Sequence, residues 1–263
     1  MNFHVPLRIA GTLLLALACA GLCLWLRIPL PWMIGPLLST AIASMLRART
    51  ESWAPLRNVG QCTIGLALGL YFTPQVGALV LGLWWAVLLG VAWALLLGWL
   101  CGLWLQRTQA HRLPGLNRAT TWFAGAIGAA SEMTERAHAR TDLVAAAHSL
   151  RLLIVAVLIP FGMQFSGVHG LDGSATVLRT FEPQGLLILA LLASAAALGL
   201  DRLGRANPWF MGPMLVAMGL TLAGIELTGI PSWMSNAAQL FIGVSLGVRF
   251  TPAFVHTAPR WLA

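Results

Sequence analysis

The stretch Asn58-Val-Gly-Gln-Cys-Thr-Ile-Gly-Leu-Ala-Leu-Gly-Leu-Tyr-Phe-Thr-Pro74 recurs near the far end of the chain. There the sequence reads Asn236-Ala-Ala-Gln-Leu-Phe-Ile-Gly-Val-Ser-Leu-Gly-Val-Arg-Phe-Thr-Pro252, an offset of 178 residues. A second block, Pro31-Trp-Met-Ile-Gly-Pro-Leu-Leu38, returns as Pro208-Trp-Phe-Met-Gly-Pro-Met-Leu215 at an offset of 177. Two blocks in one order at nearly one offset indicate an internal duplication. Apolar segments interrupted by Gly and Pro at matching places in two halves are typical of transport sites in membranes.

The composition indicates a membrane protein. The chain of 263 residues is 58% hydrophobic and 9% charged, whereas soluble domains carry about 25% charged residues. Apolar runs at 9–26, 77–105, 143–161 and 184–200 reach or approach the roughly 20 residues that cross a bilayer. We therefore expect an all-α polytopic membrane protein, and the composition disfavours one large soluble helical protein.

The 16 basic residues are all arginines, scattered singly between apolar runs. A nucleic-acid-binding protein would cluster them on one face, so we expect no nucleic-acid partner and interpret the arginines as topology signals. If every apolar segment crosses the membrane, eight loop arginines lie inside and six outside. If residues 120–134 instead form a re-entrant element, the division is twelve to two, as the positive-inside rule favours. The re-entrant arrangement also inverts the second copy, leaving the loop 47–57 inside and its counterpart 227–235 outside.

The paired blocks, together with Ser131-Glu132-Met133 and Ser149-Leu150-Arg151, resemble the AbrB-type membrane family. Its members have a duplicated sequence and are often labelled "ammonia monooxygenase" or "AbrB regulator". The resemblance covers nearly the whole chain, with two departures. The family's Pro-Gly-Gly-Leu-Ser-Glu-Met segment reads Ile127-Gly-Ala-Ala-Ser-Glu-Met133, and the second copy stops soon after Thr251-Pro252. We expect a first repeat over 1–170 and an incomplete second repeat over 171–263.

The candidate substrate- or ion-binding residues are polar groups in apolar segments: Glu132, Ser131, Gln61, Gln239 and Arg151. An intramembrane acid such as Glu132 indicates a functional site, but an i, i+4 ion pair with Arg136 explains it equally well. Arg151 could bind an anion or Glu132, or its side chain could snorkel to the cytoplasmic surface. Gln61 and Gln239 could contact a ligand or form hydrogen bonds between helices.

Three repeated motifs carry the remaining candidate positions. Gly65 and Gly69, with Gly243 and Gly247, form Gly-x-x-x-Gly in both copies, which predicts close helix packing or exposed backbone at a broken helix. The other two motifs are the Pro-Trp helix starts and the Gly-Pro pairs one turn further: Pro31, Trp32, Pro208, Trp209, Gly35, Pro36, Gly212 and Pro213. The tryptophans suit an aromatic belt at the membrane surface. The inner prolines should kink their helices or free backbone carbonyls.

The leading functional hypothesis is an inner-membrane, multi-pass protein of a bacterium that resembles a secondary transporter for a small solute. An indirect regulatory role without DNA binding is the alternative, and a membrane enzyme is third. The six histidines show no metal-ligand spacing, so the monooxygenase label has no support in them. We expect no catalytic residue, metal or cofactor. The expected partners are the lipid bilayer and the solute, and the sequence leaves open whether the chain forms a homo-oligomer.

Overall fold

The computed structural model describes residues 4–48, 50–109, 141–166, 181–205, 207–225 and 227–250. The regular secondary structure within these ranges is helical. In chain order the helices are α1 His4–Trp25, α2 Pro31–Met45, α3 Ala54–Leu70, α4 Pro74–Gly82, α5 Trp84–Gln109, α6 Thr141–Ser166, α7 Pro183–Arg202, α8 Pro208–Leu222 and α9 Ser232–Gly247. One compact unit holds α1 to α3 and α7 to α9, and a second holds α5 and the first part of α6.

Two of the described helices are long and apolar enough to cross a membrane. These are α1, over Pro6–Trp25, and α7, over Pro183–Arg202, with mean hydropathies of 2.1 and 1.9. A third candidate is the pair α3 and α4, which bends by 77° at its break. At 15 residues each, α2 and α8 extend only about 22 Å at 1.5 Å per residue. They are therefore shorter than the full spans expected for 32–46 and 207–225, since the hydrocarbon core is about 30 Å thick.

Several helix boundaries differ from the sequence prediction. The expected single span 77–105 is divided, because α4 ends at Gly82 and α5 begins at Trp84. Helix α3 begins at Ala54, inside the stretch expected to be a loop, since Pro55 suits a first helical turn. Helix α9 begins at Ser232 rather than near 237. The expected re-entrant segment 120–134 lies outside the described residues.

Helices α1 to α3, here called the first triplet, and helices α7 to α9, the second triplet, have matching breaks. Three pairs of residues with positive φ are related by the 177-residue offset: Arg27 (53°) and Gly204 (63°), Leu30 (47°) and Asn207 (57°), and Arg47 (63°) and Gly224 (76°). The first and third pairs follow helix ends. At these helix ends, the residue after the positive-φ position donates its backbone N–H to the carbonyl five residues earlier. Ile28 donates to the Cys23 carbonyl (3.0 Å), and Arg205 donates to the Leu200 carbonyl (3.1 Å).

The first two helices of each triplet pack together through the same small residues. A Cβ added at Gly35 would lie 2.8 Å from the Ala20 backbone nitrogen, and one at Gly212 would lie 2.7 Å from that of Ala197. Ala20 and Ala197, again 177 residues apart, are completely buried. The correspondence found in the quoted blocks therefore extends back to α1 and α7, whose sequences do not show it plainly.

Candidate functional site

The candidate site is the crossing, where α2 and α3 meet α8 and α9. Helix α3 packs against α8 through Gly65 and Gly69. A Cβ added at Gly69 would lie 2.5 Å from the Met214 carbonyl oxygen and 2.6 Å from the Ala217 Cβ, while Gly65 lies against the Phe210 carbonyl. The backbones approach so closely that only glycine fits without movement.

Helix α9 makes the equivalent contact with α2. A Cβ added at Gly243 would lie 2.8 Å from the Met33 carbonyl oxygen, and one at Gly247 would lie 2.7 Å from that of Leu37. Met33 and Leu37 are the counterparts of Phe210 and Met214 at the 177-residue offset. The third helix of each triplet thus packs on the second helix of the other triplet, through corresponding residues in both directions.

The third helices of the two triplets also contact each other. A Cβ added at Gly60 in α3 would lie 2.9 Å from the carbonyl oxygen of Ala238 in α9. These two residues are counterparts at the 178-residue offset. In an interface with two-fold symmetry, residue i contacts j while j contacts i, and residues on the axis contact their own equivalents. The contacts at the crossing follow this pattern.

Polar side chains of α3 bind the beginning of α8. Gln61 Nε2 donates to Asn207 Oδ1 at 3.1 Å. Asn207 is the N-cap of α8 in the left-handed region, and its side chain makes no capping bond, so its oxygen is free to accept from Gln61. Asn58 lies one turn before Gln61. With its amide turned so that both polar atoms have partners, Asn58 Oδ1 accepts from Trp209 Nε1 at 3.3 Å and the amide nitrogen donates to the Ala54 carbonyl at 3.3 Å.

The matching position in the second triplet differs. Gln239 and Asn236 are half-buried, and neither side chain makes a hydrogen bond within the described part of the chain. The counterpart of Asn207 is Leu30, which has no polar side-chain atom to offer. Trp32, the counterpart of Trp209, is half-buried and packs against the cluster formed by Ala16, Leu240 and Val244. The crossing is therefore symmetric in its backbone packing and asymmetric in its polar contacts.

Hydroxyl groups at the crossing donate to backbone carbonyls. Thr40 Oγ1 donates to the Pro36 carbonyl at 2.6 Å, and Thr63 Oγ1 donates to the Val59 carbonyl at 3.0 Å. Ser44 Oγ donates to the Val248 carbonyl at 3.4 Å, which ties the end of α2 to the end of α9. Helix α2 continues through Pro36 to Met45, so this proline does not end the helix.

The structure brings together some of the sequence-predicted site residues and not others. Gln61 and Gln239 lie on the helices that form the crossing, as do the motif residues Pro31, Trp32, Pro36, Gly65, Gly69, Pro208, Trp209, Pro213, Gly243 and Gly247. Gly35 and Gly212 lie on the same helices but pack against α1 and α7 instead. Arg151 is half-buried in the first part of α6, which belongs to the other compact unit. Glu132 and Ser131 lie outside the described residues, so their binding roles stay predictions.

Asn207 is the site residue that sequence reasoning missed. It precedes the repeated Pro208-Trp209 block, and its counterpart Leu30 is chemically unlike it, so comparison of the two copies does not mark it. The available signal was local. An Asn directly before a Pro at a helix start is a typical N-cap, and Asn tolerates the left-handed backbone better than most residues.

Metal-ligating side chains do not cluster in the described ranges, where no group of three or more His, Cys, Asp or Glu residues could hold an ion. The three cysteines that the structure describes there, Cys19, Cys23 and Cys62, are free thiols. What the crossing offers chemically is a set of side-chain amides, two indoles and hydroxyl groups between closely packed helices.

Comparison with known proteins places the chain in a family. Residues 32–263 match the family described as "Transition state regulatory protein AbrB". The chain belongs to the AbrB family. It is also similar to "Uncharacterized protein YhjN" of Bacillus subtilis (strain 168), with 26% identity over 249 residues. That match covers 84% of this chain and 63% of YhjN, so this AbrB-family chain spans less than two thirds of that relative's length. No solved structure matches the chain.

Proposed function

We propose that this AbrB-family chain is a multi-pass protein of the bacterial inner membrane that works as a secondary transporter for a small solute. The contact between Gly60 and Ala238 carries the proposal, because a residue that touches its own counterpart marks a two-fold relation between the triplets. Many secondary transporters consist of inverted copies related by a two-fold axis in the membrane plane, with the solute site between them. We place the axis of this chain in that plane.

The helix lengths support a membrane location. Helices α1 and α7 can cross a bilayer, whereas α2 and α8 are too short and follow a break with a left-handed residue. In transporters with inverted copies, such discontinuous helices end near the bilayer midplane. The outer face of α7 exposes a continuous apolar stripe: Leu187, Ile188, Leu191, Leu192 and Leu198. Contact with lipid would cover this stripe, since exposed apolar patches often mark protein or membrane contacts.

The proposed solute site lies at the crossing, beside Gln61 and Gln239. Polar side chains that interrupt apolar helices at membrane depth are costly unless they bond to one another or to a ligand. We propose Glu132 as the residue that carries a coupling ion or proton, with Ser131 beside it and Arg151 as its candidate partner. Replacement of Glu132 by Gln should then abolish flux while the protein still inserts, because the shape is kept and the charge is lost.

The alternative function is an indirect effect on gene expression, which the description of the family as a regulatory protein favours. Transport can produce such an effect, since a change in the cytoplasmic level of a solute alters the genes that respond to it. We propose no contact with DNA, because the arginines are scattered rather than clustered on one face.

Metabolite profiling tests the transport proposal and does not require the solute to be identified first. Cells that produce the protein and cells that lack it are compared by untargeted mass spectrometry of cytoplasm and medium. We expect at least one small solute whose cytoplasm-to-medium ratio changes, and uptake of that solute by proteoliposomes containing the purified protein. Unchanged ratios for every detected solute, with the protein inserted in the membrane, would contradict a transport function.

A further inference from the structure

The two repeated glutamines differ in what their amides bind. Gln61 donates to Asn207 Oδ1 at 3.1 Å, so its amide nitrogen is occupied by a contact between α3 and the start of α8. The nearby contact between Trp209 and Asn58 strengthens the same junction. Together these bonds hold the first triplet to the second at one end of the crossing.

Gln239 occupies the matching place on α9 without that partner. The residue that corresponds to Asn207 is Leu30, whose side chain cannot accept a hydrogen bond. Gln239 is half-buried and bonds to no side chain or backbone group in the ranges that the structure describes. Its amide atoms are accessible rather than enclosed, so water or a ligand can bind them.

We propose that Gln239 is the glutamine that binds the solute and that Gln61 is a positioning residue that fixes α3 to α8. This proposal rests on the proposed transport function. An amide presents both a donor and an acceptor. Asn236 lies one turn earlier on α9, and Trp32 packs against the cluster that contains Leu240 and Val244 of this helix. The solute class that fits is a small polar molecule that both donates and accepts hydrogen bonds, with an apolar portion to lie against Trp32.

Thermal unfolding of the purified protein in detergent separates the two roles without a solute. Gln61→Leu should lower Tm by about 2–4 °C, which corresponds to one lost hydrogen bond in a chain of this size. Asn207→Leu should lower it further, because Leu also strains the left-handed backbone at this position. The double variant should fall little below Asn207→Leu alone, because both changes break the same hydrogen bond. Gln239→Leu should leave Tm within about 1 °C of the parent on the same scale. Equal losses for Gln61→Leu and Gln239→Leu would overturn the division of roles.

A reciprocal substitution provides a second readout. Leu30→Asn should give Gln239 the partner that Gln61 already has, so it should raise Tm in the parent and raise it less when Gln239→Leu is also present. The difference between the two gains isolates the new hydrogen bond from any relief of backbone strain at position 30. The same gain in both backgrounds would mean that Gln239 cannot reach position 30 or is already bonded, and would contradict the proposal.

Water access to Gln239 completes the test. In a protein whose four cysteines have been replaced, Gln239→Cys should react with a membrane-impermeant maleimide in sealed vesicles or after their opening. Leu191→Cys, on the exposed apolar stripe of α7, should not react, because lipid excludes the reagent. No labelling at 239 would overturn a solute site there. Since labelling and Tm need no solute, they fail or succeed independently of the transport measurement, whose failure would leave the different roles of the two glutamines intact.

Discussion

Gly60 lies against the carbonyl oxygen of Ala238, its own counterpart 178 residues later in the chain. Around this contact, Gly65 and Gly69 pack on α8 while Gly243 and Gly247 pack on α2. The two triplets are thus interlocked, each supplying its third helix to the second helix of the other. Neither triplet can bury its glycine-rich third helix without the other triplet, so the stability of the unit depends on these reciprocal contacts.

Gly60 should tolerate no side chain. A Cβ there would lie 2.9 Å from a backbone oxygen, which cannot move without shifting α9. Gly60→Ala should therefore reduce the free energy of unfolding by about 1–3 kcal/mol, the usual cost of overpacking, as measured by thermal unfolding in detergent. Gly219→Ala in α8 is the control, because a Cβ meets nothing within 4 Å there, and this change should stabilise the helix by about 0.5–1 kcal/mol. A stable Gly60→Ala protein would contradict the described contact.

Because the two triplets pack on each other through equivalent residues, equivalent substitutions in α3 and α9 should destabilise the protein by similar amounts. Gly69→Ala places a Cβ 2.5 Å from the Met214 carbonyl oxygen, and Gly247→Ala places one 2.7 Å from that of Leu37. We expect both variants to lose stability by similar amounts, about 1–3 kcal/mol each, again measured by thermal unfolding. Because the contacts are equivalent, a large loss at one glycine with none at the other would show that only one triplet packs as described.

Arg47 stands where its counterpart is Gly224, and both have positive φ, 63° and 76° respectively. A non-glycine residue in this conformation costs about 1–2 kcal/mol. Arg47→Gly should therefore raise the free energy of unfolding by about that amount, whereas Gly224→Ala should lower it similarly. Arg47→Ala is the matched control, since it removes the charge and keeps a Cβ. If Arg47→Ala stabilises as much as Arg47→Gly, the gain comes from the charge and not from the backbone.

Two buried threonines accept hydrogen bonds from the backbone of the segments that precede helices α3 and α7. The Glu51 backbone N–H donates to Thr12 Oγ1 at 3.2 Å, and the Glu182 backbone N–H donates to Thr228 Oγ1 at 3.1 Å. Replacement of either threonine by Val keeps the shape but leaves an N–H without its partner, at a cost of about 1–3 kcal/mol in the free energy of unfolding. Thr→Ser at the same positions keeps the hydroxyl and should restore most of that stability. Equal losses for Ser and Val would assign the effect to packing instead.

The repeated blocks indicated where the helices of the crossing lie, and the family resemblance is confirmed. Which helices pack together could not be read from the motif. A Gly-x-x-x-Gly pattern predicts a close neighbour without saying which one, and here the neighbour of α3 is α8. The different environments of Gln61 and Gln239 depend on Asn207 and Leu30, which lie just outside the repeated blocks.

Helix boundaries were harder to predict where the sequence is uniformly apolar. The break after Gly82 divides the run 77–105, yet Gly90 and Gly98 in the same run lie inside helix α5. A glycine permits a break without requiring one, because helix interiors tolerate it at about 0.5–1 kcal/mol. The left-handed arginines Arg27 and Arg47 carry no sequence signal either, since residues with a Cβ rarely adopt positive φ.

The central claim is that the triplets are inverted in the membrane, and equivalent loops test it most directly. Ala48 and Ile225 follow α2 and α8, are both exposed, and are counterparts at the 177-residue offset. In a protein without other cysteines, Ala48→Cys and Ile225→Cys are labelled separately in intact cells with an impermeant thiol reagent. Inversion predicts that position 225 reacts from outside and that position 48 reacts only after the membrane is opened. Labelling of both positions from the same side would contradict the inverted arrangement.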